Sequence, residues 1–140
     1  MTYASGTALP PRTFPPISRT DIVRYQGASG DFNPIHHDEP YAQAADFSTV
    51  FSVGMLQAGY LATYCVDLLG PENIREFRIR FRDTVWPGDV LTCSGLVADG
   101  DGHAPRTADE RGRRIPLELT VERSPDDIVM TGTAVFLVAE

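Results

Sequence analysis

The sequence predicts an α+β domain in which a curved antiparallel sheet wraps around one long central helix. Three observations carry this. From Gly54 to Leu69, apolar residues recur at helical spacing over a face wide enough to be buried on most sides. Beyond Gly70-Pro71 the period changes to two, with Phe77, Ile79 and Phe81 alternating with Arg78, Arg80 and Arg82. Later stretches rich in β-branched and aliphatic residues, separated by turn signals, extend this into an antiparallel meander of at least four strands.

Residues 1–16, with Pro10, Pro11, Pro15 and Pro16, read as an arm or a short edge strand, since proline is tolerated only at sheet edges. Ser18 or Thr20 can cap a first helix, with Ile22, Val23 and Tyr25 as its inward side and Gly27 and Gly30 as its end. Asp38 can cap a short helix to about Ala45, with Pro40 in its first turn. The central helix follows and stops at Gly70-Pro71. Strands are expected over Ile74–Trp86, Val90–Val97, Arg114–Val121 and Ile128–Val138, with turns at Pro87-Gly88-Asp89 and Ser124–Asp127. The glycine- and charge-rich span Ala98–Arg111 reads as a long mobile hairpin loop that contains an exposed His103. One domain spans residues 1–140, and no segment repeats.

Composition narrows the class. The chain is 42% hydrophobic and 22% charged, ordinary for a globular domain. Its 12 basic and 19 acidic residues leave a net charge of −7, a surface that repels nucleic acid and anionic membranes, so neither is an expected partner. The apolar run around Val53–Leu69 is broken by Gln57, Gly59, Thr63 and Asp67 and is too polar for a span of about 20 apolar residues. Cys65 and Cys93 lack CxxC spacing and read as buried reduced thiols of a cytoplasmic protein; residues 1–16 show no basic region followed by an apolar one, so no export is expected.

The chemistry concentrates in Tyr25–Asp38. Asp31 and His36, five residues apart with Asn33-Pro34 between them, can face one pocket from a loop, where a carboxylate and an imidazole suit acid–base work on a water. An ordinary capped loop with a satisfied histidine explains the same residues. A metal site at His36, His37 and Asp38 is disfavoured, since adjacent histidines diverge and no third soft ligand is near, so no metal is expected.

The string Tyr25-x-x-x-Ser29-Gly30-Asp31-x-Asn33-Pro34-Ile35-His36-x-Asp38, followed by Ala44-x-x-Phe47 and Gly54-Met55-Leu56, resembles the MaoC-like (R)-specific enoyl-thioester hydratases and dehydratases of the hot-dog superfamily. The resemblance covers about Ser18 to Gly95. It implies a hot-dog fold and a hydro-lyase that adds water to, or removes it from, a trans-2-enoyl or (R)-3-hydroxyacyl thioester of coenzyme A or acyl carrier protein. It implies no cofactor beyond the carrier on the substrate. It also implies that Asp31 and His36 hold the catalytic water and share the acid and base roles. Asn33 would orient the dyad or the loop, and the Gly54 N–H at the helix start would polarise the thioester carbonyl. The family usually reads His-Gly-Met before the central helix, whereas Val53 stands in this histidine's place.

Ser52 and Val53 just before that helix, and Met55 and Tyr60 on it, are the expected substrate neighbours, and Arg78 and Arg80 the expected phosphate contacts; Thr63 and Tyr64 either shape an acyl tunnel or belong to the core. A solvated, ion-paired strand face is the alternative for the arginines, and Trp86 reads as a packing residue. One helix cannot cover the sheet, so a homodimer, or a heterodimer with a homologous hot-dog subunit, is expected. The second functional reading, motivated by Val53, is a non-catalytic or partner-dependent thioester-binding subunit. A thioesterase is disfavoured, because its usual central-helix acid has no counterpart nearer the motif than Asp67.

Overall fold

The computed structural model describes residues 3–101 and 111–139, so His103 and most of the expected hairpin loop lie outside the described residues. Strand β1 (Ala8–Thr13) is followed by helices α1 (Arg19–Ser29), α2 (Glu39–Ala44) and α3 (Gly54–Leu69). Strands β2 (Ile74–Phe81), β3 (Thr92–Val97), β4 (Arg113–Ser124) and β5 (Asp127–Val138) complete the order. The expected architecture, an antiparallel sheet packed on a central helix, is what the chain forms.

The N-terminal segment is an edge strand. Its prolines coincide with a register shift between Leu9 and Arg12 in the pairing with β3, where a missing N–H does least harm. Helix α1 starts on a capping box: the Ser18 hydroxyl accepts from Asp21 N, and the Asp21 carboxylate accepts from Ser18 N. It runs through Gly27 and ends at Gly30, whose φ of 74° closes the last turn, so Gly27 does not terminate it. Its inward residues are Ile22 and Gln26; Val23, expected inside, is exposed.

Helix α3 has the expected bounds and buries Leu56, Gln57, Ala58, Leu61, Tyr64, Cys65 and Leu69. Met55, Thr63 and Asp67 are exposed, because a single sheet covers only one side of the helix. The sheet's inner layer comes from alternate residues, Ile115, Leu117, Leu119 and Val121 on β4 and Met130, Ala134 and Phe136 on β5. Two glycines in this layer leave room for their neighbours. A β-carbon at Gly95 would lie 3.5 Å from the Tyr64 hydroxyl, and one at Gly132 3.4 Å from Leu61 and 2.7 Å from the Arg78 carbonyl.

The strand order is β1-β3-β4-β5-β2, which corrects the simple meander. Strands β3, β4 and β5 follow one another, but β2 lies at the far edge beside β5, with Phe77 opposite Ala134 and Ile79 opposite Gly132. The connection from β2 to β3 must therefore cross the end of the sheet, and it is pinned there by Arg123. This side chain donates to Asp83 (2.8 Å), Asp127 (2.7 Å), Asp89 (3.4 Å) and the Thr84 carbonyl (2.9 Å). The same crossing ends β2 at Phe81 rather than Trp86, and β3 begins at Thr92 rather than Val90. Side-chain acceptors take over: Asp83 caps Thr84 N, and Asp89 accepts from Trp86 N.

Candidate active site

The loop between α1 and α2 is shaped by its own side chains. Ser29 Oγ accepts from Asp31 N (3.3 Å) and Asp31 Oδ1 from Asn33 N (3.2 Å), while Asn33 Oδ1 accepts from Ile35 N (3.1 Å). Asn33 thus caps a single 3-10 turn, Pro34–His36, with proline where its missing N–H is harmless. Asp38 closes the segment by capping α2, accepting from Tyr41 N at 3.1 Å. Asp31 and His36 stand at the two ends of this short capped bridge. The Asn33 side chain acts on the loop backbone between them.

His36 is 9% exposed, and its Nδ1 lies 2.8 Å from the Phe51 carbonyl. A carbonyl can only accept, so Nδ1 carries a proton, and Nε2 is the nitrogen that can hold a lone pair. Phe51 also meets the imidazole edge to face, at 5.0 Å and 84°, and is itself packed against Phe47 and Trp86. Trp86 is the packing residue expected. Because Phe51 lies three residues before Gly54, the His36 hydrogen bond ties the loop to the head of α3.

That head offers free backbone donors. Gly54 is the first residue of α3, where N–H groups have no intrahelical acceptor and the helix dipole is positive. The Phe81 ring stands over it: a β-carbon there would meet Cε1 at 2.9 Å and Cζ at 3.0 Å, so glycine suits this close approach. Val53 is 4% exposed and occupies the cap position without any side-chain capping bond. Ser52 is buried, its N–H donating to the Val85 carbonyl at 2.8 Å. Met55 is 52% exposed beside Gly54.

Other expected site residues lie elsewhere. Tyr60 stacks on Phe14, with centroids 4.6 Å apart, and burial followed by the Asp21 charge raises its pKa. Arg78 and Arg80 project from the face of β2 opposite Phe77 and Ile79. With Arg82 they line an outer groove of ≈490 Å³ shared with Thr131 and Thr133. Arg78 pairs with Glu76 of the same strand at 3.4 Å, and Arg82 donates across to Thr131 at 3.2 Å. Tyr64 belongs to the core, where burial pushes its hydroxyl up to about 12.

Two buried glutamines were not foreseen. Gln26, 2% exposed, donates from Nε2 to the Asp31 carbonyl (2.8 Å) and the Asn33 carbonyl (3.1 Å), and its Oε1 accepts from His37 Nδ1 (3.0 Å). Gln57, 3% exposed, turns back toward the residues before α3. Both sit at inward helical positions, Gln26 one turn after Ile22 and Gln57 beside Leu56 and Ala58. A polar residue inside an apolar face was the available signal. Among the described residues, no group of three or more His, Cys, Asp or Glu could hold a metal ion, and no helix is long and apolar enough to cross a membrane.

Comparison with known proteins shows the family and the fold. The family described as "MaoC like domain" matches residues 4–129. The (R)-specific enoyl-CoA hydratase of Rhodospirillum rubrum is 39% identical over 83 residues, which span 58% of this chain and 58% of that relative's length. The unliganded R-hydratase PhaJ1 of Pseudomonas aeruginosa superposes with a TM-score of 0.79 at 24% identity, covering 98% of this chain and 83% of that one. A chain of the ChsH1-ChsH2 complex of Mycobacterium tuberculosis superposes with a TM-score of 0.76 at 23% identity, covering 96% and 98%.

Proposed function

Because the chain belongs to the MaoC-like domain family and has its hot-dog fold, we propose that it is a hydro-lyase acting on a trans-2-enoyl or (R)-3-hydroxyacyl thioester. The carrier on that thioester is coenzyme A or an acyl carrier protein. The observation that carries the reading is the hydrogen bond from His36 Nδ1 to the Phe51 carbonyl. It leaves Nε2 as a base and anchors that base to the segment that leads into Gly54.

The chemistry follows from these groups. In hydration, a water held between Asp31 and His36 gives one proton to the pair while its oxygen bonds to the β-carbon. The π electrons shift onto the thioester oxygen, where the Gly54 N–H and the helix dipole meet the developing negative charge. The pair then returns a proton to the α-carbon, which regenerates the thioester carbonyl, and dehydration runs the same path backwards. Asn33 keeps the bridge between the two groups in shape. Ser52, Val53 and Met55 border the thioester, and Val53 makes that wall apolar. Tyr60 would line the helix farther from the dyad. Arg78 and Arg80 would serve carrier phosphates approaching over the edge of β2.

A second copy, or a homologous hot-dog subunit, would cover the open side of α3 and the unpaired edge of β2, where Met55 and Phe81 are exposed. The buried thiols fit a reducing cytoplasm.

Purified protein is expected to hydrate a trans-2-enoyl-CoA, read as loss of the conjugated-thioester absorbance. Asp31→Asn and His36→Ala should each lower kcat by about 10²–10⁴-fold. Silence of the wild type toward short, long and bulky acyl chains, alone and with homologous subunits, would refute the reading. The uncapped, apolar Val53 favours a second reading, a thioester-binding subunit of a heteromeric dehydratase. In that case native mass measurement would show no self-sufficient homodimer, and activity would appear only when the homologous subunit is added.

A further inference from the structure

The Gln57 amide faces three oxygens: Ser52 Oγ at 3.1 Å, the Gly54 carbonyl at 3.2 Å and the Val53 carbonyl. Two of these can only accept, so the amide nitrogen is the end that faces them. The side chain is 3% exposed, four positions into the apolar part of the sequence that becomes α3. A buried glutamine at such a position is expensive unless its hydrogen bonds matter to the structure around it.

The Val53 carbonyl is the other half of the peptide unit that carries the Gly54 N–H. A peptide is planar, so holding its C=O fixes the direction of its N–H. Three donors reach this carbonyl: the Leu56 N–H at 2.9 Å, the Gln57 amide and, at the longer distance of 3.4 Å, the Ser52 hydroxyl. Hydrogen bonds accepted by a carbonyl also polarise its N–H, strengthening the bond that N–H can give. At most helix starts a capping side chain steadies this turn; Val53 has none to offer.

We infer that Gln57 is a positioning residue: it clamps the Val53–Gly54 peptide so that the Gly54 N–H points at the place where the thioester oxygen gains charge. This rests on the reading of Gly54 as the carbonyl-polarising donor. Gln57 supplies from within the helix the order that a polar residue at position 53 would supply from outside it. It touches no substrate. Its effect should therefore appear in the turnover step and not in substrate binding.

The test compares wild type, Gln57→Met, Gln57→Asn and Asp31→Asn in the intact protein, with trans-2-crotonyl-CoA as the probe, and follows the Gly54 amide by ¹H–¹⁵N NMR. Methionine keeps the volume and removes the donor; asparagine keeps the amide but falls short of the carbonyls, and carries the test if the methionine variant does not fold. Misaligning one such donor should lower kcat by about 10- to 100-fold, somewhat less than deleting it. KM should stay within about twofold, since ground-state binding is untouched. The Gly54 amide resonance should move, while those of residues 33–38 stay in place. Wild-type kcat in the folded variants, an unmoved Gly54 resonance, or a loss confined to KM would overturn the inference. If Asp31→Asn is inactive and the Gln57 variants are not impaired, the inference alone fails. If wild type is silent toward crotonyl-CoA and every longer thioester, the functional reading fails and takes the inference with it.

Discussion

Replacing Gln26 by leucine removes three hydrogen bonds from one buried side chain while nearly conserving its volume. Two run from Nε2 to the carbonyls of Asp31 and Asn33, and one joins Oε1 to His37 Nδ1. At about 0.5–1.5 kcal/mol net for each bond, the loss is about 1.5–4.5 kcal/mol. The leucine returns about 1 kcal/mol by burying hydrocarbon where the amide stood. Because the loop partners are only part-buried, water recovers some of the rest, and the balance is a destabilisation of about 2 kcal/mol. For a chain of this size, with a melting shift of about 4 °C per kcal/mol, Tm should fall by about 8 °C. Urea unfolding should show a lower midpoint at unchanged slope, because the surface exposed on unfolding is the same. The variant should also lose the proposed hydratase activity beyond its loss of stability, since the released carbonyls belong to Asp31 and to the residue that caps the turn into His36. A stability change below about 0.5 kcal/mol, the range of ordinary surface substitutions, would refute the idea that Gln26 organises this loop.

Two further outcomes follow from the titrating groups. Burial pushes the thiols of Cys65 and Cys93 up to about 12, so neither should react with a disulfide reagent at pH 8 in the native protein; both should react once it is unfolded in guanidinium. Native-state labelling at the rate of free cysteine would contradict the packing of α3 against β3. Hydrogen bonds from Ser18 to Asp21, from Thr49 and then Arg19 to Glu39, and from Thr84 N and then Arg123 to Asp83 hold these carboxyls below their usual values of 3.8, 4.5 and 3.8. A depressed folded pKa stabilises the native state above the unfolded value and loses that contribution as pH falls through the folded one. The urea midpoint should therefore be level above about pH 5 and decline as pH drops below 4. A midpoint that rises on acidification would show the sign to be wrong.

Much of the fold was legible because its causes are local. The 3.6 period and the Gly70-Pro71 stop delimit α3, Ser18 and Asp38 cap their helices, and Asn33-Pro34 builds the turn that separates Asp31 from His36. Each of these is settled by hydrogen bonds or spacing within a few residues. Alternation likewise foretold which side of β2 faces the helix, and that Arg78 and Arg80 lie on the other side. The helix at Gly27 shows the limit of the local argument: a single glycine weakens a helix without ending it, and α1 runs on to Ser29.

By itself, the sequence determined the elements, the inward side of β2 and the loop that carries the carboxylate and the imidazole. Only the tertiary structure decided that β2 crosses to pair with β5, because pairing depends on a connection pinned by Arg123 from 34 to 40 residues away. It also decided the protonated nitrogen of His36, through a carbonyl 15 residues along the chain, and what the two buried glutamines hold. A side chain's type limits the bonds it can make; which partner receives them is fixed only when distant backbone is brought within 3 Å and water is shut out.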